Sequence, residues 1–300
     1  MRKGVRITAE TLEKWEKKGR GQGIYGDYVP WHMISRADPA SLGKSTVLPS
    51  ASLGRQLHFL SGAELVGAMC MWRLPWLVDM LEQYPLSHKF SESVLSEYDH
   101  RRLYPVCSGT EAVAEELGVR HPAIPFRNGG RPPAPWVMTT DLVGVCRHGG
   151  RWGAIAVSVK FDAALSPRAQ ELLQIEERYW THRGHAWRLL NCSTMPRADY
   201  HSVLAVAPSV LMFPRLAATD LEAIGSKMRA IGQQSLHAAL SAIQSLHLQT
   251  ATPPVSAFYQ AVWSGHYPVD LGLATSRGKL RPSEHVVGEG WDPLLSEALV

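Results

Sequence analysis

Three side chains far apart in the chain, Glu64, Asp141 and Lys160, carry the strongest chemical signal in this sequence. Glu64 stands three residues after Ser61, at the head of a run with Leu65, Met69 and Trp72 at helical spacing. Ser-x-x-Glu before such a run is a capping box, so Glu64 first reads as a carboxylate tied to a helix start. Asp141 interrupts the β-forming run 136–145, where aspartate is depleted. Lys160 closes a second such run, Ala154-Ile155-Ala156-Val157-Ser158-Val159-Lys160. Between them lies Arg147-His148-Gly149-Gly150-Arg151, and Gly-Gly is a strong two-residue hairpin turn. With Gly149 and Gly150 as the turn, Asp141 stands opposite Ser158 and Thr139 opposite Lys160. Because facing residues share a side of the sheet, one face then carries Asp141, Ser158 and Lys160 together. A slip of one residue would undo this.

Carboxylates beside an ammonium suit phosphodiester cleavage. Hard oxygens bind magnesium or manganese, which neutralises the scissile phosphate and lowers the pKa of bound water. A neighbouring lysine orients that water or stabilises charge developing on phosphorus. Each residue also has a plainer role: Glu64 as a helix cap, Lys160 as a solvated strand end, Ser158 as an ordinary strand serine. Other chemistries find less support. The cysteines Cys70, Cys107, Cys146 and Cys192 form no Cys-x-x-Cys pair, so a zinc site or disulfide framework is not expected. No Gly-x-Ser-x-Gly elbow occurs, and none of the 13 histidines has an evident metal-binding partner. Gly21-x-Gly23-x-x-Gly26 spells a dinucleotide fingerprint but follows charged residues instead of a buried strand. Gly43-Lys44-Ser45 lacks the earlier glycine of a phosphate loop, having Asp38 there.

The elements that must position these groups are legible in outline. Residues 8–18 read as a short helix capped by Thr8, with Leu12 and Trp15 on one face. Its positive end, with Lys17, Lys18 and Arg20, runs into the glycine-rich stretch 19–23, read as a flexible basic arm whose Lys17, Lys18, Arg20 and Gln22 are candidates for nucleic-acid contact. Residues 61–74 form a helix stopped by Pro75, and 77–86 an extended segment. After the hairpin, Ser166 caps a helix with Pro167 at its first position and Gly184 at its end, burying Leu172, Ile175 and Tyr179. A strand, 186–190, follows. This order predicts an α/β fold with a small mixed sheet. Beyond 194 helices are expected over 219–230, 234–247 and 255–264, and a β-hairpin within 267–287. That pattern suggests a mainly helical, winged-helix-like module, dividing the chain into 1–193 and 194–300.

The 300 residues carry 31 Lys plus Arg against 27 Asp plus Glu, a net charge of +4 that permits a nucleic-acid partner without requiring one. No apolar run approaches the roughly 20 residues that span a bilayer. The basic N-terminus has no apolar stretch behind it, and a cytoplasmic protein is expected.

Eight segments in one order carry a family resemblance: Gly19-Arg20-Gly21-Gln22-Gly23, Asp27-Tyr28-Val29-Pro30-Trp31, His58-Phe59-Leu60-Ser61 with Glu64, Glu82-Gln83-Tyr84-Pro85-Leu86, His121-Pro122, Met138-Thr139-Thr140-Asp141, Val157-Ser158-Val159-Lys160 and Ile175-Glu176-Glu177-Arg178-Tyr179-Trp180. Over roughly residues 12–193 the chain resembles the TnsA family, endonuclease subunits of heteromeric cut-and-paste transposases. The resemblance implies a restriction-endonuclease-like catalytic domain that cuts transposon-end DNA on the strand not joined to target. It implies two partners, a TnsB-like DDE transposase and a TnsC-like AAA+ ATPase, the latter contacted by a winged-helix-like C-terminal domain. Glu64, Asp141 and Lys160 carry over as catalytic positions. Two magnesium or manganese ions are implied, bridged by Asp141, with Glu64 on one of them.

One position departs from the pattern. Some members of the family and related nucleases place Gln or Glu two residues before the lysine, and here that residue is Ser158. Either Ser158 reaches the metal through a water, or the Val159 carbonyl and another group complete the shell, or the site is weakened. Glu82 and Glu176 are candidates to compensate. The alternative reading is a scaffold that binds TnsB-like and TnsC-like partners and DNA without cutting.

Overall fold

The structure, a computed structural model, describes residues 7–35, 44–124, 134–162, 164–232 and 235–271, with Ala274, Leu280, Ser283, Gly288 and 292–294. At its centre is a four-stranded mixed sheet in the order β3 (Leu77–Pro85), β6 (Thr139–His148), β7 (Arg151–Lys160) and β8 (Ala186–Asn191). The pairs β3–β6 and β6–β7 are antiparallel, and β7–β8 is parallel. A parallel pair needs a crossover, and α4 (Pro167–His182) supplies it. The turn at Gly149-Gly150 has φ of 55° and 80°, a left-handed pair that side-chain-bearing residues resist. The mixed sheet and the hairpin register are thus as the alternation and the turn predict, with Leu142 facing Val157 and Arg147 facing Trp152.

Strand alternation sorts side chains to two faces. Leu142, Ile155 and Val157 pack with α2 (Gly62–Trp72), while Val143, Val145, Ala154 and Ala156 pack with Ile175, Tyr179 and Trp180 of α4. The apolar stripe of α4 therefore runs through Leu173, Ile175, Tyr179 and Trp180, and Leu172 is only half-buried. Ahead of α2 stands a hairpin that the sequence patterns do not announce, β1 (Thr46–Ser50) with β2 (Arg55–Phe59). The helix α1 (Ala9–Lys17), with the predicted Thr8 cap, buries Leu12 and Trp15. The remaining small elements are α3 (Thr110–Glu116) and the two-residue strands β4 (Ala123–Ile124) and β5 (Ala134–Pro135).

Past Asn191 the chain is helical among the described residues: α5 (Arg197–Leu211), α6 (Ala218–Ile231), α7 (Leu236–Gln244) and α8 (Pro254–Trp263). The last three correspond to expected helices. The first is additional, its sequence signal broken by Pro196 before it and Pro208 within it. Most of the segment 267–287 assigned to a hairpin lies outside the described residues. The apolar cluster around α2 continues without a break into α5, α6 and α8, through Val203, Val206, Ile224, Phe258 and Trp263. Trp263 Nε1 donates to the Met69 carbonyl at 2.7 Å, and Arg73 pairs with Asp292 at 2.9 Å. This explains why α2, read as amphipathic, is buried on nearly every side.

Candidate active site

Glu64 is set by its cap. The Ser61 hydroxyl accepts from the Glu64 backbone N–H at 3.2 Å and donates to Glu64 Oε1 at 3.0 Å. The Leu60 N–H donates to Oε2 at 2.8 Å. The carboxylate is also drawn toward the sheet, because Gln83 Nε2 donates to Oε2 at 3.1 Å. Gln83 has a φ of 51°, unusual for a residue with a side chain. That kink reverses the alternation of β3: Glu82 points to Arg55 on β2, whereas Tyr84 lies against Trp180 on α4. Close seating completes the geometry. A Cβ on Gly67 would meet Val159 Cγ2 at 2.8 Å and Leu142 Cδ1 at 2.9 Å, so only glycine lets α2 approach the sheet this closely beside Glu64.

On the sheet, the ladder between β6 and β7 described above closes at Leu142 and Val157. The expected cross-strand pairs Asp141–Ser158 and Thr139–Lys160 lie beyond it and are not formed. Instead the Asp141 carboxylate enters the gap: the Val159 N–H donates to Asp141 Oδ2 at 2.7 Å, and Lys160 Nζ donates to the same oxygen at 3.2 Å. Lys160 Nζ also donates to the Val159 carbonyl at 2.9 Å. Asp141 and Lys160 are brought together as expected, and Ser158 is directed elsewhere. Its hydroxyl donates to Glu176 Oε1 at 2.6 Å and accepts from Trp187 Nε1 at 3.0 Å.

Electrostatics tie the cluster together. Burial raises the pKa of Glu64, which is 8% exposed, and the negative charge of Asp141 raises it further, against the hydrogen bonds from Leu60, Ser61 and Gln83. Burial likewise lifts Glu176 to about 7, again with Asp141 adding to the rise. Desolvation pulls Lys160 down, but Asp141, Glu176 and Glu64 outweigh it and hold the ammonium protonated. Three carboxylates thus share one lysine. Asp141, Lys160 and Glu176 line one cavity of about 460 Å³ together with Thr139, Met138 and Trp136. A second cavity, about 550 Å³, lies around the far end of the hairpin near Arg102, His148 and Trp152, and no carboxylate lines it.

The other candidate positions divide. Lys17, Lys18 and Gln22 are exposed. Arg20 departs from the expected arm: it is 8% exposed, donates through Nη1 to the Trp31 carbonyl at 2.9 Å and lies 4.4 Å over the Trp15 ring. The stretch 19–23 is packed too, with the Gly21 N–H donating to the Val29 carbonyl and Gly21 against Pro85. Of the two compensating glutamates, Glu82 is taken by Arg55 at 2.7 Å, whereas Glu176 stands in the site. Gln83 and Thr140 are not marked as site residues by any sequence pattern. A glutamine in the middle of a strand, next to a candidate carboxylate across the sheet, is the available signal. Among the described residues no three His, Cys, Asp or Glu side chains are gathered to hold a metal ion. Asp141 Oδ2 and the Val159 carbonyl both hold the Lys160 ammonium, and Glu64 is engaged by its cap and Gln83.

These features define a class: a mixed α/β protein in which an interrupted hairpin gathers an aspartate and a lysine beside a glutamate presented by a capped helix. One curated protein is similar to the chain in sequence. The chain is 31% identical over 172 residues to the transposon Tn7 transposition protein TnsA of Escherichia coli, covering 57% of this chain and 52% of that protein. The resemblance to TnsA read from the eight motifs is thereby borne out. This chain spans about half the length of the curated relative it matches. No protein-family model matches it.

Proposed function

We propose that the chain is a divalent-metal-dependent DNA endonuclease subunit of a transposition system, cutting the non-transferred strand at transposon ends alongside a TnsB-like transposase and a TnsC-like ATPase. The observation that carries this reading is the meeting of Asp141 and Lys160 at 3.2 Å in the opened end of a β-hairpin, with Glu64 coupled to them electrostatically. Similarity to TnsA supplies the biological setting. The donor chemistry suits a hard cation: carboxylates outnumber ammonium groups, and their oxygens are the ligands that magnesium and manganese prefer. Asp141, Glu64 and the Val159 carbonyl would hold it, whereas the Ser158 hydroxyl, engaged by Glu176 and Trp187, would not. When bound, magnesium or manganese supplies Lewis acidity and activates water for attack on phosphorus.

The protein's own groups have separable roles. Asp141 orients the Lys160 ammonium and fixes the end of β7 through the Val159 N–H. Lys160 places positive charge where the phosphate accumulates negative charge in the transition state. Glu64, held by Ser61, Leu60 and Gln83, closes the site from the helix side. Lys17 and Lys18, exposed at the end of α1, would supply phosphate contacts. In this reading residues 1–193 form the restriction-endonuclease-like catalytic part and 194–300 a winged-helix-like part that contacts the ATPase.

The test uses the full chain with its transposase partner, transposon-end DNA and magnesium or manganese, scoring the non-transferred strand. Asp141→Ala is expected to abolish cutting and leave the fold intact. Lys160→Ala is expected to slow cutting by about 10²-fold or more, on the scale of losing one transition-state donor. Wild-type cutting in either variant removes that residue from the mechanism. The scaffold alternative has one observation in its favour, the engagement of both Glu64 oxygens within the fold. It would be upheld if the wild-type chain leaves its strand uncut while the partner nicks the other.

A further inference from the structure

We propose that the loop between β3 and α3, residues 86–109, forms with the cavity at the turn end of the β6–β7 hairpin a docking surface for an acidic, apolar segment of a partner protein. Six large apolar side chains are exposed among the described residues, and three of them, Phe90, Leu103 and Val106, lie on this loop. Leu103 is 99% exposed. Exposed apolar residues scattered singly are ordinary, whereas a concentration on one element marks a contact surface. The loop presents these side chains from a fixed base. Ser91 and Cys107 exchange both backbone hydrogen bonds, at 3.1 and 2.9 Å, and so close its neck. Arg183, buried just past α4, donates through Nη1 to the Ser108 carbonyl at 3.0 Å and through Nη2 to Ser91 Oγ at 2.9 Å. Val94, Leu95 and Tyr98 turn inward to the core. An anchored loop loses little further entropy when a partner is seated on it.

The cavity beside the loop, about 550 Å³, sets the chemistry of the occupant. Trp76, Tyr104 and Trp152 line it together with Arg102, Arg151 and His148. Leu103 stands between Arg102 and Tyr104 in the chain, so the most exposed apolar side chain adjoins the cavity. No carboxylate lines it among the described residues. Asp99 and Glu116 touch lining residues and are occupied by them: Asp99 accepts from the Tyr104 hydroxyl at 3.3 Å, and Glu116 lies 3.7 Å from His182 Nε2. Arg102 and Arg151 are exposed and form no ion pair among the described residues. Cations without acids favour carboxylates on the occupant, and the aromatic walls favour an apolar side chain between them. Trp, Tyr and Arg are also the residues that anchor protein interfaces. A nucleic-acid surface would present basic side chains along a backbone path, and Leu103 and Val106 offer a phosphate nothing. From Asp141 to His148 is seven strand positions, roughly 23 Å at β spacing. A partner seated at the turn end therefore leaves the cluster around Asp141 open.

The experiment selects a random peptide library, displayed on phage, on the full chain, and measures the selected sequence as a labelled synthetic peptide by fluorescence anisotropy. The expected consensus is an aromatic or aliphatic residue flanked by Asp or Glu. Leu103→Asp and Arg151→Glu are each expected to weaken that peptide about tenfold or more, with melting unchanged because both positions are exposed. Exchanging the peptide's acid for lysine is expected to restore binding to Arg151→Glu and to lose it for wild type, a charge reversal that a merely structural effect would not produce. Val106→Asp and Arg102→Glu carry the test if either first variant fails to fold. The docking surface is overturned if no consensus emerges, or if both variants bind the peptide like wild type. It is equally overturned if no acidic peptide is selected and Arg151→Glu instead weakens binding of a DNA duplex or single strand, or Leu103→Asp instead abolishes self-association in sedimentation. Those outcomes would make the surface one for nucleic acid or for a second copy of the chain.

Discussion

At the scale of single residues, the buried imidazole of His185 gives a pH test independent of the carboxylate cluster. His185 is 8% exposed, its Nε2 lies 2.7 Å from Ser93 Oγ, and its ring lies 6.0 Å from Trp180. Burial pushes its pKa down to about 4, and the nearby Arg183 guanidinium adds to the fall. A histidine depressed in the fold is protonated first in the unfolded chain. Its contribution to stability is therefore complete above the unfolded pKa of about 6.5 and is lost as pH falls through the window down to about 4, by at most ~3 kcal/mol. Glu64 and Glu176 work in the opposite sense, since their raised values make the fold gain stability as pH falls toward the ordinary carboxylate range. The informative quantity is thus a difference: urea unfolding of His185→Gln should lose less stability than wild type between about pH 7 and pH 5. Parallel curves would mean that the imidazole is not held neutral.

At the scale of elements, the seating of α2 on β6 and β7 decides whether Glu64 reaches the sheet. Gly67→Ala gains about 1 kcal/mol of helix propensity. Against it stands the overlap with Val159 and Leu142, both buried with little room to retreat, and overpacking of this kind costs about 1–3 kcal/mol. The overlap is expected to win, lowering the denaturant midpoint modestly. DNA cutting should fall further than stability, because Glu64 sits on the adjoining turn. A Gly67→Ala protein as stable and as active as wild type would show that the seat has slack.

At the scale of the whole molecule, the continuity of the core across residue 193 has a consequence for the proposed division of the chain. The outer side of α2 is covered by α5 and α8, and its C-terminal end is held by Trp263 and Asp292. Residues 1–193 expressed alone would expose Met69, Trp72 and their neighbours to water. That fragment is expected to bind a hydrophobic dye and to lose the near-ultraviolet signal of packed aromatics. A fragment that unfolds cooperatively with full aromatic signal would make 1–193 an independent folding unit. No helix among the described residues is long and apolar enough to cross a membrane.

Caps, turns and alternation are local, and these were legible in the chain before any fold was known. Ser61 with Glu64, Ser166 with Pro167, and Gly149-Gly150 act within a few residues of one another, so their physics is complete in the order of the amino acids. They yielded most of the helices, the hairpin register as far as Leu142 and Val157, and the placing of Asp141 and Lys160 on one side of the sheet. Packing in three dimensions set the rest, because it depends on which distant groups meet. The reversal at Gln83, the ladder ending before Asp141, the withdrawal of Arg20 onto Trp15 and Trp31, and the arrival of Glu176 under Ser158 all follow from contacts between elements far apart in the chain. A hydroxyl two residues before the lysine reads as a weak ligand in one dimension. In three it is the fastening of a carboxylate brought by another helix.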